Sequence, residues 1–142
     1  MSVPVHMRSE NKLQALKDTL TMTSYTIKMC ENEKIFPKKC RWTICNRIID
    51  ECLFAVKTIQ VANKINPQNV EQAKYRLTLQ WDVLASFTSL WALMTVAVET
   101  YNVPYDKVEI FSEYLLIAEE TVTAWRNANK KTYKAKWQDL LD

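Results

Sequence analysis

The residues best equipped for chemistry in this chain are cations. In FPKKCRWTICNRIIDE, residues 36–51, Lys38, Lys39, Arg41 and Arg47 surround Trp42 just after a proline. A second group, Arg126, Lys130, Lys131, Lys134 and Lys136, lies near the C-terminus beside Tyr133 and Trp137. Clustered Lys and Arg neutralise phosphates, and aromatic rings stack on unpaired bases. The chemistry on offer is the holding of a polyanion.

Distribution says more than total charge, which is only +3. Residues 34–66 hold seven basic side chains against two acids, and residues 126–142 hold five against two. Residues 106–125 reverse the sign, with one basic residue against five acids. A plainer account is a solvated surface, helped by Arg47 pairing with Glu51 at i,i+4. Any single lysine is explained that way; the two clusters together point to phosphate binding.

Catalytic groups are scarce. His6 is the lone histidine, so nothing supplies a histidine base for a nucleophile. Glu109, Glu113 and Glu120 fall on the polar side of a helix and lack the Glu-x-x-His pattern of di-iron bundles. Cys30, Cys40, Cys45 and Cys52 show no CxxC spacing. Cys45 and Cys52, seven apart, share a helical face and read as small apolar fillers, rather than zinc ligands or disulfide partners. A non-enzyme without metal or cofactor is expected.

The elements that must carry these residues are helices. Glycine is absent from all 142 positions, which removes Gly-rich phosphate loops and dinucleotide turns. The first twenty residues are too polar for a secretory signal. No apolar run reaches the roughly 18 residues of a membrane span, since 83–98 is broken by Ser86, Thr88, Ser89 and Thr95. A cytoplasmic protein is expected.

One domain is expected, an arm at 1–8 followed by helices over 9–33, 37–65, 67–101 and 106–129 and a basic tail at 130–142. Ser9 and Asn66 serve as N-caps, Pro37 and Pro67 as first-turn prolines, and Asp106 with Glu109 as a capping box. Apolar seams run through Leu13, Leu16, Leu20, Thr23, Ile27 and Cys30 in the first helix. The second uses Trp42, Cys45, Ile49, Cys52, Val56 and Ile59. In the third, the seam passes from Ala73 through Leu77, Gln80, Phe87 and Met94 to Tyr101, and in the fourth from Val108 through Phe111, Leu115 and Val122 to Trp125. Short loops make this an all-α, up-down-up-down antiparallel four-helix bundle.

Apolar surface is left over. Leu53, Phe54 and Val61 lie off the seam of the second helix, Trp81, Val83, Leu93 and Val96 off the third, and Ile110, Leu116 and Ile117 off the fourth. Such a surplus predicts subunit contacts, and a ring of copies would join modest basic patches into a continuous one.

FPK followed by Arg41-Trp42, Ile44 and Asn46-Arg47-Ile48 resembles the start of the second helix in the accessory variability determinant (Avd) proteins of diversity-generating retroelements. These are related to the proteins encoded in intervening sequences of large-subunit ribosomal RNA genes. Tyr25, Ala62-Asn63 and Ala124-Trp125 are similar to family positions too, and the resemblance covers about residues 20–129. It implies a homopentameric, barrel-like assembly that binds RNA or DNA and a reverse transcriptase. Such an assembly assists mutagenic retrohoming without doing chemistry. Lys38, Lys39, Arg41 and Arg47 match the family's basic corner; Arg126 to Lys136 are added on charge alone. The competing reading is an oligomeric interaction or structural protein of phage or mobile-element origin.

Overall fold

The computed structural model describes residues 13–138. Among them the chain forms four α-helices and no strand: α1 (Gln14–Glu31), α2 (Asn46–Lys64), α3 (Val70–Tyr101) and α4 (Tyr105–Lys136). A 3-10 turn at Lys38–Cys40 and a wide π turn at Arg41–Cys45 lead into α2. Each helix packs on its sequence neighbours and α1 packs on α4, which closes a four-helix bundle. The expected all-α architecture is present.

The core is built at the spacings that line one helical face. Met22 and Met29 from α1 meet Ile48, Cys52 and Ile59 from α2, with Phe87, Leu90 and Met94 from α3 and Phe111, Leu115 and Val122 from α4. Helix α3 contains an 18-residue window of mean hydropathy 1.4, long and apolar enough to cross a membrane by length and composition. Here it packs against both α2 and α4, with 33% of that window buried.

Several expected details differ. On α1 the expected Leu16, Thr23 and Cys30 are buried, but the buried face also takes in Ala15, Thr19, Met22, Thr26 and Met29, and Leu20 is exposed. Thr26 Oγ1 donates to the Met22 carbonyl at 2.7 Å, a bond within its own helix, whereas the buried Thr19 and Thr23 hydroxyls find no partner among the described residues. Ser9, the expected cap of this helix, lies outside the described residues. Val83, expected off the seam, is fully buried.

Helix α3 starts after Asn69 and not Asn66, because the Asn69 side chain accepts the Gln72 N–H at 2.9 Å. It stops at Asn102, whose φ of 54° is left-handed. In a chain without glycine, Asn is the residue that enters that region at least cost. The Asp106–Glu109 capping box does not form. Pro104 precedes α4 without a side-chain cap, and Asp106 sits in the first turn, where the helix dipole favours an acid.

The fourth helix does not end at 129. It continues to Lys136, so residues 130–136 are helix and not a tail. Lys and Ala are good helix formers, and the extension has a core of its own: Tyr133 is buried on Ala73 and Leu77, with Val70 and Trp137 packed around them.

Candidate nucleic-acid interface

The first basic cluster is a structured corner. Ile35 and Phe36 are buried, and both of their N–H groups donate to the Asn32 carbonyl at 2.9 Å, which plugs the α1–α2 connection into the core. Asn32 Oδ1 also accepts the Lys34 N–H at 2.9 Å. Cys40, Ile44 and Cys45 then point inward, while Lys38, Lys39, Arg41, Trp42 and Thr43 are exposed, with Arg47 exposed one turn later.

Trp42 is thus a correction: expected on the inward seam, it is 80% exposed. The buried stripe of α2 runs back through Ala62, Ile59, Ala55, Cys52, Ile48 and Cys45 at alternating three and four, and its next step falls at Arg41, which leaves Trp42 outside it. Within the π turn Ile44 and Cys45 are the buried residues.

Ion pairing at this corner is slight. Lys38 Nζ lies 3.7 Å from Glu33 with both side chains solvated, an arrangement of little energetic weight. It is the sole ion pair among the described residues, and the expected Arg47–Glu51 pair does not form. Lys39, Arg41 and Arg47 therefore face solvent without a carboxylate partner among the described residues.

The second cluster divides into two kinds of cation. Arg126 belongs to the fold: its Nε donates to the Leu77 carbonyl at 3.1 Å, and its guanidinium lies 5.3 Å from the Trp81 ring centroid. Burial lowers its pKa. Lys131, Lys134 and Lys136 are exposed on the last turns of α4, Lys130 is half-buried, and Lys136 Nζ lies 4.8 Å from the Trp137 ring. The sequence-expected set of nine cations thus falls at two places, and Arg126 is the member committed to internal bonds.

One polar layer was missed altogether. Arg76 donates from Nε to Asn129 Oδ1 at 2.8 Å and from Nη1 to the Ile65 carbonyl at 2.6 Å, with its guanidinium over Trp125. Gln80 Nε2 reaches the same Asn129 oxygen at 2.9 Å. Burial lowers the Arg76 pKa, with Tyr133 nearby opposing the shift. The available signal was position, since Arg76 lies one residue before buried Leu77 and four before buried Gln80.

The four cysteines are free and buried. Burial pushes the Cys30 and Cys52 thiols up, Cys52 to about 12, so neither is poised as a thiolate. Among the described residues no group of His, Cys, Asp or Glu converges as metal ligands do. A half-open cavity of about 250 Å³ between α3 and α4 is lined by Trp91, Met94, Val98 and Val108 with Thr95, Glu99 and Ser112, and no basic residue enters it.

No family model, curated protein or solved structure matches the chain.

Proposed function

We propose that the protein is a non-catalytic nucleic-acid-binding accessory protein that holds RNA or DNA at the corner between α1 and α2. Lys38, Lys39, Arg41 and Arg47 neutralise phosphates there, and Trp42 stacks on an unpaired base. Lys130, Lys131, Lys134 and Lys136 form a second, weaker phosphate contact. The observation that carries this reading is the 80% exposure of Trp42 among exposed cations. A large indole left in water has no packing reason to be there, whereas single-strand binders combine positive charge with exposed aromatic platforms.

The resemblance to accessory variability determinant proteins fits this reading and gives the larger setting, a homopentameric partner of a reverse transcriptase in mutagenic retrohoming. The bundle is read as up-down-up-down and antiparallel. Tyr25 of α1 donates to the Lys107 carbonyl at the start of α4 at 3.1 Å, and Asn129 late in α4 meets Arg76 early in α3 at 2.8 Å, contacts that support it. A cytoplasmic location is part of the same proposal.

The test is charge reversal of Lys39 and Arg41 to Glu, with Lys38→Glu added. Both neighbouring turns keep their buried anchors, so helicity and melting stay at wild-type values while binding to a fluorescent 20-nucleotide single strand is lost. Unchanged binding by the folded triple variant rules this corner out.

A further inference from the structure

Two outward faces of the bundle remain without a partner, and they differ in sign. Helices α2 and α4 each pack on α1 and α3, so they sit diagonally and their outer faces look to opposite sides. On α2 the exposed side chains include Leu53, Phe54 and Val61, with Arg47, Lys57 and Lys64 among them against Asp50. On α4 they include Ile110, Leu116 and Ile117, with Asp106, Glu109, Glu113 and Glu120 and no exposed base before residue 126. Leu53 and Leu116 are each about half exposed, at 50% and 51%.

The two faces also share a register. Phe54 and Val61 are spaced by seven, as are Leu116 and Thr123. Two parallel helices in that alignment set Phe54 against Leu116 and Lys57 near Glu119 and Glu120. Val61 then faces Thr123 and Ala124, small residues that with Leu116 and Glu120 line a shallow groove of about 360 Å³ on α4. Lys57 Nζ lies 5.3 Å from the Phe54 ring centroid, which holds the cation beside the apolar contact.

We propose that the occupant of each face is a second copy of this chain, with the α2 face of one copy docked on the α4 face of the next. The contact joins two different surfaces, so it is heterologous and repeats until rotation closes a ring. It rests on the oligomeric part of the proposed function and assigns its interface. Opposite charge selects the partner face, and the apolar residues supply the burial that holds it.

The experiment uses full-length chain and two double variants, Leu53→Glu with Phe54→Glu, and Leu116→Lys with Ile117→Lys. All four positions are exposed, and far-UV circular dichroism verifies helicity; the milder pairs to Gln replace any variant that loses it. Light scattering is expected to give the wild type a mass several times the 16.7 kDa chain and each variant a single-chain mass. Mixing the two variants restores one contact, since each retains the face that the other lacks, and gives a 1:1 dimer that grows no further. A monomeric wild type, variants that keep the wild-type mass, or monomeric variants that fail to pair each overturn the assignment. The nucleic-acid reading fails separately, through the Lys38, Lys39 and Arg41 variant, whatever the masses show.

Discussion

The hydroxyls of Thr43 and Tyr101 lie 2.9 Å apart, which ties the π turn bearing Arg41 and Trp42 to the last turn of α3. Because the bond crosses from the basic corner to a core helix, it restrains the corner from the far side of the π turn. Cys40, Ile44 and Cys45 restrain it from below. A cluster whose backbone is held this way loses little backbone entropy on binding.

Removing that tie loosens the corner without unfolding the bundle. Tyr101→Phe is expected to cost below about 1 kcal/mol in global stability, since the bond is exposed. Amide hydrogen exchange across residues 38–47 rises selectively, and equal protection in variant and wild type contradicts the role assigned to the bond.

Arg126 and the lysines that follow it separate cleanly by measurement. Arg126→Met removes the bond to Leu77 and the contact with Trp81, so the melting temperature falls while the salt dependence of binding is kept. Lys131→Gln with Lys134→Gln does the reverse. Melting is unchanged, and the slope of log affinity against log salt for a single strand shrinks by about 0.7 for each lysine that meets a phosphate.

Asn129 is the acceptor on which the buried layer depends. Asn129→Ala leaves the Arg76 Nε and Gln80 Nε2 donors without it, at an expected cost of about 2–3 kcal/mol. Gln80→Leu behaves differently. Its Oε1 is buried and finds no partner among the described residues, so removing it offsets the lost bond and the change stays within about 1 kcal/mol. Chemical denaturation of the two variants reads the contrast directly.

Burial of the cysteines sets an alkaline limit. The Cys52 thiol is raised by desolvation from 9.0 to about 12, and Cys30 is raised in the same direction. The unfolded chain ionises first, so this contribution is complete below pH 9 and is lost as pH rises from 9 to 12. Each thiol adds at most about 1.4 kcal/mol per pH unit to the decline. Denaturation midpoints are expected to fall across that window, with a shallower fall in Cys52→Ala.

Much of the fold was legible because long helices repeat their apolar positions many times. The seams of α3 and α4 through Phe87, Met94, Phe111 and Leu115 needed only the three-and-four spacing. What escaped were places where one residue outweighs the period. Thr19 and Thr26 count as polar but satisfy or hide a hydroxyl inside α1, so the seam was drawn through exposed Leu20. On α2 the buried stripe passes through Ile48 and Ala55, with Ile49 and Val56 only partly buried, so Trp42 lies at the surface. Lysines at 130–136 suggested a tail, yet one tyrosine at 133 has Ala73 and Leu77 to pack on, and the helix follows it. The Arg76–Asn129 bond joins residues far apart in sequence, and nothing local announces such a pair.

The central claim is that the exposed corner grips a phosphate backbone with an indole beside it. The direct measurement is the affinity of the full chain for a labelled single strand over a salt series. It is made for the wild type, for the variant with Lys38, Lys39, Arg41 and Arg47 changed to Gln, and for Trp42→Ala. The account predicts that the quadruple variant loses about 3 units of slope in log affinity against log salt. Trp42→Ala keeps the slope but loses about 1–3 kcal/mol of affinity. A wild type that ignores the strand at low salt, or variants with unchanged slope and affinity, contradicts it.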